Sequence, residues 1–259
     1  MAATREDWLG WVLIGGCLLL VGSAFAAAAW LQAGKLEVDP ETLCPVDAPP
    51  LAHVVFLIDK TDPLTQRRVE TLTAELHEAR RSLGIGERLS VFLIHDRVET
   101  EFSPLFSRCS PGRGAQANEL YENPRMIQRV FDQAFGEPVE QALAELVRAT
   151  TAPRSPILEA IRLVAEWPPF RDASRRRLIV VSDLLQNVDE LSHYRPLPSF
   201  QELAQGDYLA RMLPDLESVQ VSLQLIERPV GGAVPPIQDA EHAAFWDGYF
   251  AAAGARRAP

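Results

Sequence analysis

Val54-Val55-Phe56-Leu57-Ile58 is an unbroken apolar run that ends at Asp59. Val91–Ile94 and Leu178–Val181 repeat the pattern, the last ending in Ser182-Asp183. Runs of this length predict strands covered on both faces. Val219, Val221, Leu223 and Leu225 alternate instead with Gln220, Ser222 and Gln224, which predicts a strand with one wetter face at or near a sheet edge. Helical spacing fills the gaps. Asp62 reads as an N-cap and Pro63 as the first helical residue, and Leu64, Leu72, Leu76, Ala79 and Leu83 form one stripe before Gly84. Further helices are expected over 126–148, 156–167, 200–212 and 240–253, with a hairpin-like stretch at 98–102 and an irregular segment, Ser103–Arg125, rich in Ser, Pro, Gly and Asn.

Strands that alternate with helices around apolar central strands predict an α/β fold, a doubly wound and mostly parallel sheet. In such sheets ligands bind beyond the carboxyl ends of the strands, where the strand order reverses. Two strands deliver an aspartate to that rim, Asp59 and Asp183. If the strands are neighbours, the two acids meet.

The amino-terminal region has a different pattern. Trp8–Gly34 carries no charge over 27 residues, long enough as a helix to cross a hydrocarbon layer of about 30 Å. Trp8, Trp11 and Trp30 stand where indoles mark membrane interfaces. Residues 1–7 are expected to be a tail, 8–34 a single transmembrane helix, 35–50 a Pro-rich extended linker, and 51–259 the α/β domain. A cleavable signal peptide ending near Ala24-Phe25-Ala26 competes with the span, but Glu6 and Asp7 beside Arg5 make a poor positive leader. Cys17 in Ile14-Gly15-Gly16-Cys17 sits in a lipoprotein-like box, yet the chain stays apolar after it. The amino group and Arg5 against Lys35 place the amino terminus inside and the domain outside the cytoplasm. There Cys44 and Cys109 are either one disulfide or two unrelated thiols.

Composition narrows the function classes. With 259 residues and 47% apolar content the chain is neither disordered nor in need of disulfide staples. A net charge of −10 repels polyphosphate, so no nucleic-acid partner is expected.

Asp59-Lys60-Thr61-Asp62-Pro63 after the first strand, Ser155-Pro156 at a later helix start, and Ser182-Asp183 after another strand resemble a von Willebrand factor A-type (vWA-like) domain. The resemblance covers roughly 51–227. It implies a metal-ion-dependent adhesion site in which Asp59, Thr61, Ser155 and Asp183 hold a magnesium ion, and an open metal position accepts a carboxylate from a protein partner. The site is degenerate. The second hydroxyl of the loop falls on Pro63, which has none, unless Asp62 or Thr65 reorients to replace it, and Lys60 would compete with the metal if it pointed inward. The resemblance implies adhesion and not turnover, with Ser103–Arg125 and Leu184–Ser199 as candidate contact loops. The family usually has another strand after the one matching Val219–Ile226, whereas here Pro229–Pro236 is a breaker followed by a helix, so the sheet is expected to end early.

Two other readings stand beside this one. A strand ending in Asp59 also resembles a haloacid-dehalogenase-like magnesium phosphatase, but that loop needs a second acid where Thr61 stands. A metal-free structural scaffold needs only helix caps from Asp62 and Ser155, although caps leave Asp59 unexplained. No G-x-S-x-G, H-E-x-x-H, C-x-x-C or P-loop pattern occurs. Arg80-Arg81 and Arg175-Arg176-Arg177 read as solvated or boundary charge, and Phe245, Trp246, Tyr249 and Phe250 as a helical stripe packed on the sheet.

Overall fold

The first strand, β1 (Ala52–Asp59), shows why the sheet is covered on both sides. Its side chains alternate between two separate cores. Val55 and Leu57 enter one, Phe56 and Ile58 the other. The next strand, β2 (Arg88–Ile94), divides in the same way, with Phe92 and Ile94 against Leu89 and Val91. So does β4 (Arg175–Ser182), with Leu178 and Val180 against Ile179 and Val181. A strand with a core on each face has no room for polar alternation, hence the unbroken apolar runs. The computed structural model describes residues 5–33, 37–118, 122–146, 152–228 and 237–257.

Helices fill both faces. On one lie α2 (Gln66–Ser82) and two helices, α3 (Pro124–Phe131) and α4 (Glu137–Leu146), joined by a wider helical turn over Asp132–Gly136. They bury Leu72, Leu76, Phe131, Phe135 and Leu143 against the sheet. On the other face lie α5 (Ile157–Glu166), the short α6 (Pro168–Arg171), α7 (Phe200–Leu203) and α8 (Asp207–Met212), and the C-terminal α9 (Ala240–Ala252). The expected stripe of Phe245, Trp246, Tyr249 and Phe250 packs there. Each aromatic removes a large apolar area from water, on the order of 2 kcal/mol or more per ring.

With β3 (Phe106–Cys109), β5 (Val219–Leu225) and β6 (Arg256–Arg257), the strand order is β3-β2-β1-β4-β5-β6. Only β3 is antiparallel, to β2. The chain moves from β1 outward to β2, then returns to place β4 on the other side of β1, so the order reverses between β1 and β4. The α/β, doubly wound, mostly parallel sheet is therefore present, and its switch point lies between the two strands that carry Asp59 and Asp183.

Several local expectations are revised. The helix after β1 starts at Gln66, capped by the Thr65 hydroxyl on the Arg68 amide, three residues later than Asp62-Pro63 suggests. Ser103–Arg125 is not irregular throughout, since Phe106–Cys109 pairs with β2 as an edge strand. The 200–212 helix is broken into α7 and α8 around Gly206. The sheet does not end at β5, because Arg256–Arg257 adds a short parallel strand beside Gln220 and Val221. Arg148 and Pro229–Pro236, named in the sequence expectations, lie outside the described residues.

The segment expected as an extended linker is folded from Val38 onward. Asp39 Oδ1 accepts the Glu41 and Thr42 amides and the Thr42 hydroxyl, closing a tight turn. Cys44 is disulfide-bonded to Cys109 at the end of β3, and the Cys109 amide donates to the Thr42 carbonyl. The turn is thereby fastened to the sheet edge.

Two units are distinguishable, 1–37 and 38–259. The described part of the first is the helix α1 (Arg5–Ala33), of 29 residues, followed by Glu37. Its described apolar side chains, among them Trp8, Trp11, Leu18 and Phe25, are exposed. Among the described residues, no helix is long and apolar enough to cross a membrane. The Trp30 side chain and Gly34, both part of the expected span, lie outside them.

Candidate functional site

The pairing Ile58↔Val181 puts Asp59, the last residue of β1, beside Ser182 at the end of β4. Asp59 is buried, and its carboxylate is surrounded by donors. Oδ1 accepts the Thr61 amide at 2.9 Å and the Thr61 hydroxyl at 2.7 Å. Oδ2 accepts the Ser182 hydroxyl at 2.6 Å and the Ser155 hydroxyl at 3.3 Å. Burial raises the Asp59 pKa, the Ser182 and Thr61 hydrogen bonds oppose the shift, and the nearby Asp183 charge adds to it.

Ser155 reaches this point because the start of α5 is stitched to the loop after β4. The Ser155 and Asn187 backbones exchange hydrogen bonds at 2.9 and 3.0 Å, and the Gln186 carboxamide oxygen caps the Ile157 and Leu158 amides. Gln186 is itself held by Glu159 and Tyr208. Leu184–Ser199, expected to be a contact loop, buries Leu184, Leu185, Val188 and Leu191 in the core, and Tyr194 is its exposed aromatic. Much of the loop is a support for the rim.

Asp183 is held differently. Its Oδ1 accepts the Leu185 amide at 2.9 Å, and its Oδ2 accepts Nε of Arg228 at 2.6 Å. The next residue, Leu184, has φ of 58°, a left-handed conformation that side chains other than glycine adopt at a cost of about 1–3 kcal/mol. Two donors from α9 offset it. Trp246 Nε1 and His242 Nε2 both reach the Leu184 carbonyl, at 2.8 and 2.9 Å, while the Leu184 amide donates to the Ser182 hydroxyl. The aromatic stripe of α9 therefore fixes the backbone that aims Asp183.

Arg228 completes the site. Its Nη2 pairs with Asp62, and its guanidinium lies 5.7 Å over the Tyr194 ring. Burial pushes the Arg228 guanidinium pKa down, but the Asp183 hydrogen bond together with the charge interactions of Asp183, Tyr194 and Asp62 raises it above its ordinary value. The Arg228 amide donates to Gln238 Oε1, and Gln238 Nε2 returns to the carbonyls of Asp183 and Ile226. A cavity of about 240 Å³ opens here, with Asp59, Asp62, Leu64, Asp183, Ile226 and Arg228 in its lining.

All four expected residues thus converge, but not as a magnesium site. Asp59, Thr61 and Ser155 form one hydrogen-bonded cluster, and Asp183 stands beside it with its free oxygen held by a guanidinium. Pro63 supplies no ligand, Thr65 is committed to capping α2, and Asp62 is paired with Arg228. None of the substitutes for the missing hydroxyl is free. Lys60 turns away to Glu145, donating to its carbonyl at 2.6 Å, so it is not the competing cation. Among the described residues no group of three or more His, Cys, Asp or Glu is arranged to hold a metal ion. The donor set does not fit a resident magnesium while Arg228 holds Asp183.

Ser182, Arg228, Gln238 and Tyr194 were absent from the expected ligand set. Ser182 was within reach as the neighbour of Asp183. Arg228 and Gln238 flank a Pro- and Gly-rich stretch in which nothing marks a partner for an acid 45 residues away.

No protein-family model matches the chain, and no curated protein matches it. Two solved structures show similarity to the chain. One is an aerotolerance-related membrane protein from Bacteroides fragilis, 12% identical with a TM-score of 0.34, over 80% of this chain and 92% of that one. The other is the conserved hypothetical protein BatB from Bacteroides thetaiotaomicron, 12% identical with a TM-score of 0.37, over 80% of this chain and 90% of that one.

Proposed function

We propose that the chain is a membrane-anchored, vWA-like protein-interaction module whose contact surface is the rim at the carboxyl ends of β1 and β4. The observation that carries this reading is the meeting of Asp59 and Asp183 at the switch point, beside a cavity walled by Leu64 and Ile226. A polar cluster at that place in a doubly wound sheet is where such folds bind ligands. Preorganisation supports the reading too, since a strained Leu184 retained next to the site belongs where geometry matters more than local stability.

Turnover is not part of the proposal. An attacking carboxylate needs a free lone pair and a nearby acid, whereas Asp59 accepts four hydrogen bonds and Thr61 occupies the acid's place. The proposed anchor is the uncharged run Trp8–Gly34, which lies within α1 as far as Ala33 and has the length a span requires. An extracytoplasmic domain agrees with the Cys44–Cys109 disulfide, since such bonds persist in oxidising compartments.

The test uses the full chain in its native membrane. Native electrophoresis of wild type against Tyr194→Ala and Leu64→Asp should show a larger assembly that the rim variants lose while the disulfide stays formed. An assembly unchanged by both variants would leave the metal-free scaffold. Hydrolysis of an aryl phosphate that disappears in Asp59→Asn would establish the phosphatase instead.

A further inference from the structure

We propose that Arg228 is the permanent cation of the rim, a guanidinium that replaces the divalent ion and makes the site independent of metal. The inference rests on the rim as the functional surface and concerns what holds it in shape. Its starting point is the disagreement between a cluster suited by position to a cation and a donor set that leaves magnesium no vacant carboxylate oxygen on Asp183.

Three observations place the guanidinium there by construction. Its fork spans two acids, with Nε on Asp183 at 2.6 Å and Nη2 on Asp62. Its guanidinium carbon lies over the Tyr194 ring, 5.7 Å from the centroid, within the range at which an aromatic face attracts a cation. Its own backbone is fastened to the backbone of Asp183 through Gln238, which accepts from the Arg228 amide and donates to the Asp183 carbonyl. A surface arginine that met an acid by chance would lack the third contact.

The chemistry of the two cations differs in a way that matters for this site. Magnesium needs six oxygens in a tight octahedron and releases water reluctantly, so the loss of a hydroxyl at Pro63 weakens it. A guanidinium needs only carboxylates in its plane, keeps its charge at any physiological pH, and is supplied by the chain itself. The same change that spoils the site for magnesium leaves the arginine unaffected. Asp62, which has no place in the family's ligand set as carried onto this sequence, gains a role as the second arm.

Manganese, a spectroscopic substitute for magnesium, tests this with the full chain in detergent. Electron paramagnetic resonance should show no rim-bound Mn²⁺ in the wild type. Arg228→Gln, which frees Asp183 and Asp62 together, should bind the ion, and Asp183→Asn added to it should abolish that binding. The thermal midpoint should be unmoved by magnesium in the wild type and rise in Arg228→Gln. Should Arg228→Gln not fold, the wild type still decides: the Arg228 Nε–H resonance should stay sharp as Mn²⁺ is added. Broadening of that resonance, wild-type binding that Asp183→Asn removes, or a folded Arg228→Gln that ignores the metal would each overturn the proposal. None of these readouts needs the protein partner, so a failure of the interaction reading would be seen separately, in the native assembly.

Discussion

The Ser182 hydroxyl donates to Asp59 Oδ2 at 2.6 Å across the β1–β4 boundary and accepts the Leu184 amide at 2.8 Å. One buried hydroxyl thus ties the acid of the first strand to the turn that presents the second acid. Ser182→Ala leaves the Leu184 amide and one lone pair of Asp59 without their partner. The expected cost is about 1–3 kcal/mol, read as a lower urea midpoint with an unchanged slope.

Asp59 gives a pH dependence of unusual sign. Its folded pKa is raised from 3.8, mainly by burial, so the folded state holds the proton more tightly than the unfolded chain. Its contribution is fully present below the unfolded value and is lost as pH rises through the raised folded value. Asn fits the site sterically, with its oxygen toward Thr61 and its amide toward the rotatable hydroxyls of Ser182 and Ser155. Unfolding measured from about pH 4 upward should show stability falling more steeply in the wild type than in Asp59→Asn. Parallel curves would mean that Asp59 titrates normally.

Histidine acts in the opposite sense. Burial lowers His193 to about 4 and His53 to about 3, so the unfolded chain takes up their protons first. The stability they leave intact above pH 6.5 is lost as pH falls toward those values. The Nε2 atom of His193 is buried and has no hydrogen-bond partner among the described residues, and its ring packs on His242, Phe245 and Trp246. His193→Phe keeps that packing and removes the titration. The drop in thermal midpoint between about pH 7.5 and pH 5 should therefore shrink in the variant.

The bond between Cys44 and Cys109 closes a loop across 65 residues. Replacing both cysteines by serine should cost about 2–4 kcal/mol and loosen the turn at Asp39–Cys44. Limited proteolysis would report it as new cleavage near Pro40 in the variant, with the rest of the domain resistant.

How much of this was legible in the sequence follows from the range of the interactions. β1, β2 and β4 were readable because a strand between two cores must be apolar at every position, and that is a local signal. Asp59 and Asp183 were readable for the same reason, as polar residues that abruptly end such runs. β3 and β6 were not, because Phe106–Cys109 and Arg256–Arg257 are short and gain their order from a partner strand and a disulfide. α2 starts later than Asp62-Pro63 suggests because the capping carboxylate of Asp62 pairs with Arg228 instead of with the helix. The identity of the cation at the rim depends on Arg228, and long-range pairing of that kind leaves no periodic trace in a single sequence.

The most direct test of the account is a crystal structure of the chain grown in saturating magnesium. It predicts Asp59 and Asp183 side by side at the ends of β1 and β4, the Arg228 guanidinium on Asp183 and Asp62, and no ion between them. An octahedral magnesium held by Asp59, Thr61 and Asp183, with Arg228 swung into solvent, would contradict it.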